Sequence, residues 1–319
     1  MTKSINPWEG MGEGSRRRVD TSIKYNLFWI LDIGGKYGFY IQSPVFIEDT
    51  DKKITLKGIT IIRRNENNHG SLYLILNNKE EWEIFHTLCE DLIEAAKRCS
   101  GEEYVTAAVE KRLVKWQRML QDNTYKNFTI EKQMGLFAEL VCLKNIIAPE
   151  LGVKQAVVSW VGPDFDKQDF LIDKAVVEVK AYRTSKGERV QISSLQQLQS
   201  PKDPLYLIAN GLTNTENGLS VKDIADSITR MLGEDLETID MFDQKLEDYG
   251  YISRLIEKQQ LYKFILDIQK VYEVTELFPK INREDIKPQI IQVKYSIDLS
   301  QCSEFEVAQD DLFKDGSLI

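Results

Sequence analysis

Two carboxylates and a lysine lie close together in the middle of the chain, in a stretch that predicts a β-hairpin. The stretch, residues 168–180, consists of two short apolar runs on either side of Asp173-Lys174. Two-residue connections are the commonest hairpin loops. If Asp173 and Lys174 form the loop, Asp169 lies directly opposite Glu178. The strand period of two then places Lys180 on the same face as Glu178.

Carboxylates that face each other across a hairpin repel, and a bound divalent cation removes that repulsion. Mg²⁺ prefers one or two carboxylates, with waters and phosphate oxygens completing its shell. The pattern therefore suits metal-assisted hydrolysis of phosphodiesters, with Asp169 and Glu178 holding one or two Mg²⁺ ions. Lys180 would orient or deprotonate the attacking water, or stabilise developing charge. The residues alone leave a plainer alternative open, an exposed cross-strand ion pair that contributes little energy.

A third carboxylate, Glu139, lies on a predicted helix that precedes the hairpin. Thr129 is a good N-cap for this helix, which extends to Ile147, and the residues around Glu139 are mostly apolar. Burying a carboxylate is costly unless it is paired or bound to a cation. We expect Glu139 to take an outer metal position through water if its helix packs behind the hairpin. The alternative is a glutamate at the edge of the apolar stripe that reaches solvent.

The elements around these residues predict a mixed α/β core with an extension on each side. Short aromatic and β-branched strands between residues 22 and 76 predict an N-terminal antiparallel β-domain, and two amphipathic helices follow at 80–99 and 102–120. The core is then predicted to contain the helix of Glu139, a strand at 155–160, the hairpin, short elements at 190–198, a strand at 204–210 and a helix at 220–232.

The C-terminal residues predict a helix around 239–246, strands at 261–268 and 270–276, and a closing strand at 290–299. We therefore expect three parts: an N-terminal β-domain with a helical pair at 1–125, the core at 126–235, and a C-terminal α+β extension at 236–319.

Composition and charge favour a soluble, cytoplasmic protein. No apolar run approaches the roughly 18–20 residues of a transmembrane helix, and residues 1–7 lack the apolar core of a signal peptide. The four cysteines are scattered without metal-ligand spacing, and with only two histidines a histidine-rich metal site is not expected. The net charge of −9 argues against a protein that coats nucleic acid broadly, although it permits a local basic patch such as Arg16-Arg17-Arg18.

Several short motifs, taken in order, resemble the PD-(D/E)XK nuclease superfamily. The run Pro163-Asp164 … Asp169-Phe170 … Glu178-Val179-Lys180 resembles its signature, and Gly135-Leu136-Phe137-Ala138-Glu139-Leu140 is similar to its helix-borne glutamate motif. A restriction-associated branch, the uncharacterised DUF4420-type proteins, is similar at four further segments and thus over nearly the whole chain. These segments lie at residues 85–93, 112–116, 192–198 and 277–281.

The resemblance implies a restriction-endonuclease-like core of αβββαβ order, DNA as the substrate and Mg²⁺ (or Mn²⁺) as the cofactor. It also implies a bacterial or archaeal restriction or phage-defence setting, among proteins such as a methyltransferase, an ATPase or a helicase, and it is compatible with a homodimer. We expect no membrane association. The alternative function is a DNA-binding or assembly subunit that keeps the nuclease fold without cleaving, and RNA is a further candidate substrate.

The resemblance and the hairpin register differ on which aspartate belongs to the site. The literal Pro-Asp residue is Asp164, in a loop, whereas the register selects Asp169 because only that residue lies opposite Glu178. Asp166, in the loop, and Asp173, in the turn, are weaker candidates. Gln197, in the segment after the core, would contact the substrate backbone or simply face solvent.

Overall fold

Two mixed α+β units, Met1–Asn127 and Phe128–Ile319, make up the chain in this computed structural model. The structure describes residues 6–47, 54–66, 69–121, 128–164, 168–172, 175–200, 204–252 and 261–313. The sheets are antiparallel or mixed, which confirms the predicted fold class. Within the described ranges, no helix combines the length and the apolar character needed to cross a membrane.

The N-terminal unit is a five-stranded antiparallel sheet followed by two helices. Its strands pair in the order β1-β2-β3-β5-β4. Burial alternates along β2, where Leu27, Trp29 and Leu31 are buried and the residues between them are half-exposed. The elements are β1 Arg16–Arg18, β2 Asn26–Leu31, β3 Tyr37–Ser43, β4 Ile59–Glu66, β5 His69–Leu76, α1 Trp82–Lys97 and α2 Val105–Gln121.

The second unit begins with three helices where the sequence predicts a helix and a strand. The Thr129 side chain accepts a hydrogen bond from the backbone N–H of Lys132, as the predicted N-cap requires. The strand predicted at 155–160 is wrong, because residues 155–159 lie in a helix. The helices are α3 Ile130–Cys142, extended by a π-helical turn at Leu143–Ile147, α4 Ala148–Leu151 and α5 Val153–Ser159.

Burial explains why the strand prediction failed. Ala156, Val157 and Trp160 are buried, whereas Val158 is 40 % exposed. This spacing is that of a helix face, and it overrides the β-branched composition of the segment. Trp160 keeps a trace of the expected strand, a single antiparallel bridge to Phe170.

A mixed five-stranded sheet forms the centre of the second unit. It has the order β12-β10-β9-β7-β6, and β7 and β9 run parallel while the other neighbours are antiparallel. β8 and β11 pair separately as a two-stranded sheet. The elements are β6 Phe170–Ile172, β7 Ala175–Arg183, β8 Arg189–Ile192, β9 Leu205–Ser220, α6 Val221–Leu232, α7 Leu236–Tyr249, β10 Lys263–Glu273, β11 Tyr295–Asp298 and β12 Glu306–Val307.

Four predicted strands have different bounds in the structure. The strand predicted at 204–210 extends to Ser220. The two strands predicted at 261–268 and 270–276 are one strand, β10, whose register shifts between Leu266 and Ile268. Such a shift breaks the period-two pattern, which is why one strand looks like two in the sequence. Of the closing strand predicted at 290–299, only β11 is extended, and it joins the small sheet.

Candidate functional site

The hairpin has the predicted register wherever both strands are described. Phe170 pairs with Val177, Leu171 with Val176 and Ile172 with Ala175. The predicted loop, Asp173-Lys174, lies outside the described residues. Regular pairing ends before Asp169, so the expected direct opposition of Asp169 and Glu178 is wrong. The Asp169 N–H instead donates to the Val177 carbonyl at 3.1 Å, one residue short of that register.

Asp169 is fixed by its backbone and by its side chain. Its carbonyl accepts hydrogen bonds from the N–H groups of Val161, at 2.9 Å, and Gly162, at 3.1 Å. Its Oδ2 accepts the backbone N–H of Val179 at 2.7 Å. Because β6 does not extend to this point, the carboxylate takes the place of a strand carbonyl at the edge of β7. Asp169 is thereby held beside the Glu178-Val179-Lys180 segment.

Glu178 and Lys180 lie on one face of β7, as the strand period predicts. Lys180 Nζ donates to Glu178 Oε1 at 2.5 Å. The Glu178 side chain is fully buried, and its other oxygen, Oε2, has no hydrogen-bond partner among the described residues. A buried carboxylate oxygen without a partner is costly, so this atom is a candidate ligand for a cation.

Glu139 is buried on α3, as expected from its apolar surroundings. Its Oε2 accepts the indole N–H of Trp160 at 2.8 Å. The hydroxyl of Tyr249 donates a second hydrogen bond to this carboxylate. Both partners are neutral donors, so neither compensates the charge of Glu139.

The proton affinity of all three carboxylates is raised, and for two of them a neighbouring carboxylate contributes. Burial raises the pKa of Glu139 well above its usual value, and the Asp169 charge raises it further. Burial, followed by the charge of Asp169, does the same for Glu178. Burial also raises the pKa of Asp169, although Lys180 and the Val179 N–H oppose that shift. Desolvation and like charges act together here, which is typical of functional sites.

Lys180 is the cation that these carboxylates share. Burial tends to lower its pKa, but the charges of Glu178 and Asp169 outweigh burial, and the pKa lies above the usual lysine value. Lys180 is therefore protonated near neutral pH. This favours a role in stabilising negative charge over a role as a free base.

Helix α7 contributes two side chains that the sequence interpretation missed. Tyr249, its last residue, reaches Glu139. One turn earlier, the buried Lys245 donates to the carbonyls of Trp160 and, at 3.4 Å, Val158. A lysine is favourable at these carbonyls because they end α5. Lys245 thus holds the residue whose indole binds Glu139.

Two glycines make room for this arrangement. A Cβ at Gly162 would lie 2.9 Å from Asp169 Oδ1 and 3.2 Å from Glu139 Oε2, so both oxygens border one small space. A Cβ at Gly135 would lie 2.7 Å from the Tyr249 hydroxyl oxygen. Gly135 lies one helical turn before Glu139. A glycine at that spacing is the sequence signal that could have indicated a side chain packed against α3.

Gln197 lies beside the site on a short 3₁₀ helix, Leu195–Leu198. Its Oε1 accepts the backbone N–H of Ser193 at 2.8 Å. The buried Gln168 donates to the carbonyls of Gln196, at 2.6 Å, and Gln199, at 3.0 Å, and so ties this helix to the start of the hairpin. Gln197 is consequently held near Asp169.

The other candidate aspartates cannot be placed in the same way. The backbone of Asp164 ends a 3₁₀ turn, Gly162–Asp164, and its side chain is outside the described set. Asp166 and Asp173 both lie outside the described residues.

A cavity of about 670 Å³ opens at this cluster. Its inner end includes the buried Glu139 and the half-buried Asp169 and Lys180. Its exposed end is basic, with Lys186 and Arg189. The lining residues are Glu131, Met134, Gly135, Glu139, Gly162, Asp169, Val179, Lys180, Ala181, Tyr182, Arg183, Lys186, Arg189, Gln191, Gln197 and Tyr249.

The residues present fit a hard divalent cation in their chemistry. Within the described ranges, no group of three or more His, Cys, Asp or Glu side chains is arranged as a metal cluster. The donors are nevertheless all carboxylate oxygens, and in the described part of the chain three carboxylates share the ammonium group of Lys180 and Glu178 Oε2 has no partner. Oxygen donors with excess negative charge are what Mg²⁺ and Mn²⁺ bind.

One family model matches most of the chain. It covers residues 4–300 and is described as "Putative PD-(D/E)XK family member, (DUF4420)". Neither a curated protein nor a solved structure matches the chain. The family match agrees with the resemblance carried by the motifs around Glu139, Asp169 and Glu178.

Proposed function

Since this chain belongs to the DUF4420 family, we propose that it is a divalent-cation-dependent endonuclease that hydrolyses phosphodiester bonds in DNA. One observation carries the proposal. The buried carboxylates of Glu139 and Glu178 and the half-buried carboxylate of Asp169 share the ammonium group of Lys180, the one lysine that the described residues place among them, beside a cavity whose mouth is basic. Excess negative charge at the inner end suits a cation, and basic residues at the mouth suit a phosphate backbone.

Each residue has a distinct proposed role. Asp169 and Glu178 would hold Mg²⁺ or Mn²⁺ directly, and Glu139 would do so through water. The bound ion would polarise the scissile phosphate and lower the pKa of a water molecule. Lys180, protonated beside Glu178, stabilises the negative charge that develops on the phosphate. Gln197 contacts the substrate backbone from its 3₁₀ helix.

The basic end of the cavity would position the DNA strand. Arg183 contacts Glu131 through a hydrogen bond of 3.0 Å, and Arg189 lies 3.7 Å from Asp298. These side chains are between one-third and three-quarters exposed, so the ion pairs are weak and can exchange for phosphate contacts. This local basic surface is compatible with an acidic protein because binding depends on local potential.

The proposed setting is the cytoplasm of a prokaryotic cell, in a restriction or phage-defence system. Partners of the methyltransferase, ATPase or helicase class and a homodimeric state belong to the same proposal. They follow from the family resemblance and from no particular contact in the structure.

Cleavage of plasmid DNA tests the proposal. The parent should nick supercoiled DNA in Mg²⁺ or Mn²⁺ and be inactive in EDTA. Asp169→Ala, Glu178→Gln and Lys180→Ala should each lower the rate by about a thousandfold, the order expected for removing a principal catalytic group. Gln197→Ala should have a smaller effect. Asp164→Ala is the matched control. If cleavage were lost in this variant but retained in Asp169→Ala, the metal-binding aspartate would be Asp164 and the proposed assignment to Asp169 would be wrong.

A second function has one observation in its favour. Glu178 is fully buried and paired with Lys180, and it does not line the cavity. That arrangement suits a DNA-binding or assembly subunit that keeps the nuclease fold without cleaving. DNA binding by the parent without cleavage in either metal would support this alternative and contradict the enzyme.

A further inference from the structure

We propose that the open face of the N-terminal sheet binds single-stranded nucleic acid. The helices cover the other face: Trp29 on β2 lies 5.5 Å from the His86 ring of α1, and Arg63 on β4 bonds to Glu110 of α2. Successive side chains on a strand point to opposite faces, so Phe28, next to Trp29, and Arg64, next to Arg63, point away from the helices. This face is separate from the nuclease site, and the proposal does not depend on cleavage.

A ladder of three aromatic rings crosses the open face. Phe28, Tyr40 and Tyr73 are directly opposed on β2, β3 and β5. The rings of Phe28 and Tyr40 are 5.5 Å apart, and those of Tyr40 and Tyr73 are 4.6 Å apart, both stacked. Cross-strand aromatic pairs stabilise a sheet, but Phe28 and Tyr73 also stay partly exposed.

An arginine lies at each end of this ladder. The Arg16 guanidinium is 5.3 Å from the centre of the Phe28 ring, and that of Arg64 is 6.0 Å from the Tyr73 ring. Both arginines are exposed, and neither is paired with a carboxylate of the described residues. The rings hold each guanidinium in place without neutralising it. Two such cations on one face are preorganised to bind phosphate groups.

A cavity of about 550 Å³ lies between the two arginines. Its lining includes Arg16 and Arg64 together with the apolar side chains of Ile30, Ile62 and Ile75. An apolar floor between two cations suits an unpaired base whose neighbouring phosphates contact the arginines. A base within a duplex could not enter, because its faces are stacked and its edges are paired.

Charge is distributed in keeping with this proposal. Residues 1–127 contain 19 Lys and Arg against 18 Asp and Glu, and the remaining residues contain 22 against 32. The acidic balance of the chain thus lies in the second unit. Among the residues that line the cavity, Asp32 carries the one carboxylate, and its Oδ1 accepts the Lys36 N–H at 2.7 Å. The arginines therefore dominate the local potential.

Fluorescence anisotropy of the full chain tests the proposal, with a labelled DNA strand of about 20 nucleotides in EDTA, so that no cleavage occurs. The variant Arg16→Ala/Arg64→Ala should bind about tenfold more weakly. The slope of log K against log salt should become shallower by about 1.4, since each phosphate contact on a single strand contributes about 0.7. The matched control is Arg17→Ala, an exposed arginine of the same strand that faces the other way.

The outcomes separate this proposal from its competitors. Equal losses in Arg17→Ala and in the double variant, or no loss in the double variant, would overturn it. Two results would contradict the binding of a base in the cavity. One is that duplex DNA binds as tightly as the single strand, and the other is that an abasic strand binds as tightly as the normal strand. No binding of any nucleic acid would overturn it in favour of an acidic protein partner. Strand binding without DNA cleavage would leave this proposal standing and contradict the nuclease.

Discussion

Two buried carboxylates, one in each unit, accept a hydrogen bond from a tryptophan indole but differ in how their negative charge is compensated. Asp91 on α1 accepts from Trp116 Nε1 at 2.9 Å and is also bound by Arg112 through Nε and, at 2.6 Å, through Nη2. Glu139 on α3 accepts from Trp160 Nε1 at 2.8 Å and from the Tyr249 hydroxyl, and no cationic side chain of the described residues donates to it.

The difference shows how a structural carboxylate can be told from a functional one. Asp91 has a bidentate arginine, the geometry that compensates a buried charge within the protein itself. Among the described residues, the cluster of Glu139, Asp169 and Glu178 has Lys180 as its one cationic partner, so its negative charge is less fully compensated than that of Asp91. This excess beside the cavity is the feature on which the proposed binding of a divalent cation rests.

The largest expected effect comes from breaking the compensated pair. Asp91→Ala should lower the free energy of unfolding by about 3 kcal/mol, because it leaves the Arg112 guanidinium without its carboxylate. The lower end of the range for buried pairs applies, since the two side chains are 23 % and 12 % exposed. Urea unfolding followed by circular dichroism measures the effect.

A double replacement is the control for this experiment. Asp91→Leu/Arg112→Met removes both charges together and should cost much less than Asp91→Ala, since apolar replacement of a whole pair is often nearly neutral. If both variants lost the same stability, packing rather than charge compensation would explain the role of Asp91.

The cluster should respond in the opposite direction. In EDTA, at a pH above the raised pKa of Glu139, Glu139→Gln should raise the free energy of unfolding by about 1 kcal/mol, because it removes a buried charge that Asp169 and Glu178 repel. Mg²⁺ should stabilise the parent more than the variant, since a ligand stabilises the state that binds it. Thermal and urea unfolding, with and without Mg²⁺, measure both differences.

The pH dependence of the same pair gives a second readout. Burial raises the folded-state pKa of Glu139 above the unfolded value of about 4.3. Protonation of Glu139 therefore stabilises the metal-free parent below that value, and this contribution is lost as pH rises through the folded-state pKa. The stability of the parent relative to Glu139→Gln should therefore fall as the pH rises from the unfolded-state pKa of about 4.3 through the folded-state pKa. Glu131→Gln, on the exposed side of the same helix, is the control and should show neither the gain in stability nor its pH dependence. If Glu139→Gln were less stable than the parent in EDTA, repulsion among the carboxylates would be contradicted.

The local patterns of the sequence were sufficient for much of this comparison. The hairpin register and the shared face of Glu178 and Lys180 follow from short-range periodicity, and the structure agrees with both. For Glu139 the pattern left burial and solvent exposure open, and the structure shows that it is buried. Regular pairing does not extend to Asp169, because its side chain replaces a strand carbonyl at Val179. A period-two rule cannot anticipate that exchange.

Long-range contacts account for what the sequence left out. Segment 155–160 is rich in β-branched residues, yet it is helical because Ala156, Val157 and Trp160 are buried together. Tyr249 and Lys245 come from a helix about a hundred residues after Glu139 in the chain, and only the tertiary fold brings them to the site. The Gly135-to-Glu139 spacing signals a close neighbour without identifying it.

The smallest expected effect concerns that neighbour. Tyr249→Phe removes the hydroxyl that donates to Glu139 and keeps the ring, so it should cost about 1 kcal/mol or less in urea unfolding. Tyr251→Phe, a buried tyrosine two residues later, is the matched control. If Tyr249 positions Glu139 through its hydroxyl, only Tyr249→Phe should also weaken Mg²⁺-dependent stabilisation. If the two variants behaved equally, Trp160 alone would fix Glu139. The comparison with Asp91 would then set one neutral donor, the indole, against a bidentate arginine.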